Sequence, residues 1–157
     1  MVVIKVRSHK KINIVVIDSG IKDCQDVDYI SGCGIVRKNQ NEYETTDYYE
    51  DHIGHGTAVV DELLKTCNSF ESIYCIKIYE DSMETDVGAL LFALNYIYQN
   101  IHCDIILISS GITFIADYEE MKSVIDKLTN SGIYIISAFD NEGAVSFPAA
   151  FDSVIGV

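Results

Sequence analysis

Apolar and polar positions follow one another along the 157-residue chain in two rhythms. Ile12–Ile17 (INIVVI) is almost continuously apolar, the pattern of a strand buried on both faces. Ser72–Tyr79 and Asp104–Ile108 (DIILI) read as further strands. Between them the spacing lengthens to that of a helix. Behind His55, the residues Val60, Leu63, Leu64 and Cys67 fall at i, i+3, i+4, i+7. Val87, Leu90, Leu91, Leu94, Tyr98 and Ile101 mark a second, long helix, and Met121, Val124, Ile125 and Leu128 give a third one apolar face. Asp117 with Glu120 three residues later predicts a capping box at the start of that third helix, and Gly132 its end. Gly132–Ser137 enters another strand, and SVIGV at 153–157 one more. The polar stretch Lys22–Asp51 reads as loops plus one short strand around Tyr29–Val36. The order β-α-β-α-β-α-β predicts one α/β domain over residues 1–157, a doubly wound, mostly parallel sheet with helices on both faces.

Composition narrows the function classes. An apolar content of 48% excludes a disordered chain. The longest apolar runs are strand-sized, so a membrane span is not expected. A net charge of −13 repels phosphate backbones and counts against nucleic acid as a partner. The five cysteines follow no C-x-x-C pattern, which suits reduced thiols in a cytoplasm, with Cys67 and Cys75 as small core residues. The first residues, MVVIKVRSHKK, lack the charged and apolar regions of a signal peptide.

In open α/β sheets, ligands bind beyond the carboxyl ends of the strands. Asp18 ends the first strand, Ser109 and Ser110 follow DIILI, and Asp140 and Asn141 follow the Gly132–Ser137 strand. His55 begins a crossover helix on that same edge. An Asp–His pair has a definite use: the carboxylate fixes the imidazole tautomer and stabilises imidazolium while the other ring nitrogen takes a proton. A helix N-terminus disfavours a nearby cation, so His55 placed there rests as a neutral base. Blander readings compete. The spacing of His52 and His55 suggests a metal, but Gly56-Thr57 supplies no third ligand, and His52 reads as a loop residue. Tyr43, Tyr48 and Tyr49 read as a half-exposed loop patch. A phosphoacceptor Asp18 of the haloacid-dehalogenase kind wants a second Asp two residues on, where Gly20 stands.

Three stretches carry a family resemblance: IVVIDSGI (14–21), GHGTAVV (54–60) and SAFDNEG…FPAAFDSVIGV (137–157). Together and in this order they resemble signature regions of subtilisin-like serine proteases. The resemblance implies the three-layer subtilisin-like fold, Asp18 as triad acid, His55 as general base and Asn141 as side-chain donor of an oxyanion hole. It implies that Ser109, Ser110 and Gly111, in ILISSGI, pair with an extended peptide or protein substrate. Calcium is common in the family, but no acidic loop here has ligand spacing, and no other cofactor is implied.

Departures from the family bound the expectation. The nucleophilic Ser of the family lies in a G-T-S-x-[AP] segment after the Asn, whereas the serines following Asn141 here are Ser146 and Ser153, in SFPAAF and DSVIGV. The C-terminal part of the fold, with the nucleophile, is expected to be absent from these residues. A second chain or segment would then supply the serine, and the 157 residues alone would not hydrolyse peptides. The alternative is a catalytically inactive, subtilase-like peptide-binding or regulatory module. Phe139 and Asp140 stand where the family has small residues and Gly, which places a ring at the primary specificity pocket.

Overall fold

The computed structural model describes residues 11–22, 27–40, 42–67, 69–84, 86–109, 111–113, 117–140 and 144–157. Its elements in chain order are β1 (Ile12–Asp18), β2 (Ile30–Asn39), β3 (Glu42–Thr46), α1 (His55–Thr66), β4 (Phe70–Lys77), α2 (Val87–Asn100), β5 (Ile105–Ile108), α3 (Tyr118–Asn130), β6 (Tyr134–Ser137) and β7 (Ile155–Gly156). They form one seven-stranded sheet in the order β3-β2-β4-β1-β5-β6-β7. Every pairing is parallel except β2 with β3. The expected α/β class, a mostly parallel sheet with helices on both faces, is the class observed.

β1 lies near the middle of the sheet, and its continuous apolar run reflects burial on two sides. Ile14 and Val16 pack with Ile73, Cys75 and Val60 of α1. Val15 and Ile17 face the other way, into a cluster with Leu90 and Leu94 of α2 and Met121, Val124, Ile125 and Leu128 of α3. The helix faces read from spacing are therefore the faces that the core uses.

Three expectations need correction. Residues 22–51 hold a β-hairpin, with β2 parallel to β4 and β3 antiparallel on the sheet's outer edge. The third helix starts at Asp117 as anticipated, but the Asp117 side chain makes no capping bond. Glu119 and Glu120 still place negative charge in its first turn, where the helix dipole favours it. Cys75 is core, whereas Cys67 caps the C-terminal end of α1 and is half-buried. Gly132 follows α3 with φ of 88°, the left-handed conformation that closes helices.

Candidate active site

Asp18, the last residue of β1, is 1% exposed. His55, the first residue of α1, turns its ring toward that carboxylate: Nδ1 lies 2.9 Å from Oδ1 and 3.0 Å from Oδ2. Asp18 Oδ1 also accepts the Ser19 N–H at 2.6 Å. An ionised carboxylate only accepts, so Nδ1 is the donor of this pair, and in a neutral ring Nε2 is then the nitrogen with the lone pair. The His55 side chain is 44% exposed while its partner is buried, so the Nε2 edge of the ring is the open one. Acid held below, base open above: the couple can take a proton from a group arriving from solvent and stabilise the resulting imidazolium.

What holds this couple together is a second carboxylate that the sequence reading passed over. Asp51 is fully buried and accepts five hydrogen bonds. They come from Ser19 Oγ (2.8 Å), the N–H groups of Ile53 (3.0 Å), Gly54 (2.7 Å) and Thr57 (2.9 Å), and Thr57 Oγ1 (2.5 Å). The helix N-terminus leaves orphan N–H donors. Gly54, its N-cap, has no side chain to offer, and Asp51 satisfies Thr57 N–H instead, while Ser19 Oγ accepts from Gly56 N–H at 2.9 Å. The Thr57 hydroxyl accepts from Lys22 N–H at 3.0 Å and so ties the chain after β1 to the same knot. Burial alone would raise the Asp51 pKa, but the hydrogen bonds from Thr57, Gly54 and Ser19 outweigh it and hold the carboxyl far below the ordinary range.

Gly20 and Gly56 follow from this close approach, whereas Gly54 supplies the left-handed N-cap, at φ 94°. A side chain on Gly56 would be driven into the carbonyl oxygen of Gly20 and against Asp18 Cβ. Gly20, at φ 105°, lies on the Tyr49 carbonyl. Without these glycines the start of α1 could not seat His55 on the end of β1.

The remaining expected residues are distributed around this centre. Ser109, just past β5, bonds through its hydroxyl to the Ile17 carbonyl at 3.4 Å, beside the end of β1. Gly111 abuts the buried Ser146, whose hydroxyl accepts the Asp140 N–H at 3.0 Å. Ser110 and Asn141 lie outside the described residues. The Phe139 ring lies over Gly156 of β7 and is 44% exposed. His52 is apart from the Asp18–His55 couple, with Nε2 2.6 Å from the Tyr48 hydroxyl. The three tyrosines do different things: Tyr48 is exposed, Tyr49 packs over Gly32, and Tyr43 joins Arg37 to Asp86 at the start of α2. Among the described residues, no group of three or more His, Cys, Asp and Glu side chains is arranged to hold a metal ion.

No protein-family model matches the chain. It is 29% identical over 159 residues to the minor extracellular protease Epr of Bacillus subtilis (strain 168), covering 94% of this chain and 23% of that protein. It is 27% identical to subtilisin E of the same organism, over 93% of this chain and 40% of that one. Among solved structures, a cold-adapted subtilisin-like serine proteinase superposes with a TM-score of 0.74 at 16% identity, covering 94% of this chain and 54% of the other. The chain thus spans from about a quarter to about half the length of these proteins. Over about 94% of its own length, in sequence and in fold, it is subtilisin-like.

Proposed function

We propose that these residues carry the acid–base part of a serine endopeptidase that cleaves extended peptide segments. One observation carries the reading: a buried carboxylate at a strand end holds Nδ1 of a half-exposed imidazole at 2.9–3.0 Å, leaving Nε2 open. In this reading Asp18 orients His55, and His55 takes the proton of a serine hydroxyl and returns it to the leaving amine. Asn141 donates to the oxyanion, and 109–111 pairs with the substrate backbone. No Gly-Thr-Ser segment occurs among the 157 residues, so the nucleophile comes from further polypeptide, a later segment or a second chain. A cytoplasmic location stays part of this proposal, from the unpatterned cysteines of the sequence alone, and fractionation of its source cells tests it.

A fluorophosphonate probe applied to the protein as isolated from its source tests the function. The labelled peptide, identified by mass spectrometry, is expected to contain a serine outside residues 1–157, and His55→Ala is expected to abolish labelling. Absence of labelling, or labelling indifferent to His55, would sink the peptidase reading in favour of a peptide-binding module.

A further inference from the structure

β4 breaks its own pattern where it meets the site. Ile73, Cys75 and Lys77 occupy alternate positions, and the first two are buried apolar residues facing α1. Lys77 continues that row and is 1% exposed, although a buried ammonium is costly to desolvate. In register it stands beside Asp18 on β1. Its Nζ donates to the Ser19 carbonyl at 3.2 Å and lies 3.7 Å from Glu80 Oε2, a carboxylate that is itself largely exposed.

The buried polar side chains among the described residues are Asp18, Ser19, Asp51, Lys77, Ser137 and Ser146. The first four belong to one set joined through Ser19. Its N–H goes to Asp18, its hydroxyl to Asp51 and its carbonyl to Lys77. Two buried carboxylates thus share a single residue with one buried cation. Local departures from a buried apolar pattern are expected where function demands them.

We propose that Lys77 is a positioning residue for the Asp18–His55 couple. Its ammonium clamps the Ser19 carbonyl and supplies the buried counter-charge of the Asp18–Ser19–Asp51 set, so that Asp18 keeps both oxygens on His55 Nδ1. This rests on the peptidase reading of that couple and adds to it a residue that touches neither substrate nor the reacting atoms.

The test is the downfield proton resonance of His55 Nδ1–H, which reports the hydrogen bond to Asp18, recorded on the whole chain. Its absence from the unsubstituted protein would overturn the Asp18–His55 couple itself. With the resonance present, Lys77→Met, which removes both bond and charge, and Lys77→Gln, which keeps a donor without charge, are each expected to shift or broaden it beyond detection. Leu128→Ala, a destabilising change on the opposite face of the sheet, is expected to leave it in place. An unmoved resonance in both Lys77 variants overturns the proposal. So does loss in Leu128→Ala as well, because general loosening would then explain the effect. Should the Lys77 variants fail to fold, lysine Nζ spectra of the unsubstituted chain decide: a slowly exchanging ammonium signal for Lys77 supports the clamp, and a neutral amine or a freely exchanging one refutes it.

Discussion

Asp51→Asn is the sharpest perturbation of the scaffold beneath the couple, because it preserves shape while changing charge and one acceptor into a donor. Asp51 Oδ2 accepts from Thr57 N–H and Thr57 Oγ1, and Oδ1 from Ser19 Oγ, Ile53 N–H and Gly54 N–H. An asparagine whose oxygen takes the Oδ1 place sets its amide NH₂ against Thr57. The Thr57 hydroxyl can turn to accept, but the Thr57 N–H is left without an acceptor, at about 1–3 kcal/mol. The three bonds that remain lose their charged acceptor, and bonds to charged groups exceed neutral ones by roughly 1 kcal/mol each. Since such terms are not additive, the total is about 3–5 kcal/mol. For a domain of this size that corresponds to a fall in Tm of roughly 6–20 °C. Urea unfolding at pH 7 should show a lower midpoint with unchanged slope, and calorimetry the lower Tm. A loss below about 1 kcal/mol would refute the claim that Asp51 is a charged hub. The pH dependence carries a sign. The folded-state pKa of Asp51 is depressed below its ordinary 3.8, so its contribution is complete above that value and is lost as pH falls toward the folded value. The gap between the two proteins should hold constant from neutral pH to about pH 4 and close at lower pH.

Further outcomes follow from the same geometry. Gly56→Ala forces a methyl into the Gly20 carbonyl, and should cost about 2–4 kcal/mol in urea unfolding and abolish labelling by the fluorophosphonate probe. Burial, with Asp104 nearby, pushes the Cys103 thiol up to about 11, so iodoacetamide at pH 8 should modify the half-buried Cys67 well before Cys103 in the native state, as read by mass spectrometry. Tyr43→Phe removes a hydroxyl that joins exposed Arg37 and Asp86, and should change stability by less than about 1 kcal/mol.

How much of this was legible in the residues depends on where apolar side chains had to go. The runs at Ile12–Ile17 and Asp104–Ile108 and the helix faces at 60–67, 87–101 and 121–128 announced β1, β5 and the three helices, because burial imposes their periods. β3 carries little signal because EYETT lies at the sheet's outer edge and half-buries only Tyr43 and Thr46, so no alternation marks it. Asp18 and His55 were visible as polar residues at the carboxyl edge of the sheet. Asp51 was not, although it opens the same DHIGHGT stretch. A carboxylate three residues before Gly54 looks like an ordinary turn residue until the folded chain brings Ser19 to it from β1. Lys77 left a signal, a cation that closes the run Ile73–Ile76 in β4. The capping box at Asp117 shows the converse: a matching spacing without the side-chain bond.

The central claim is that Asp18 serves catalysis through His55. Hydrolysis of an extended peptide by the protein isolated from its source, compared with Asp18→Asn, tests it most directly. The isosteric change keeps the packing but frees the ring to adopt the other tautomer, and the account predicts a fall in kcat on the order of 10⁴ with KM little changed. Hydrolysis within about tenfold of the unsubstituted protein would contradict it.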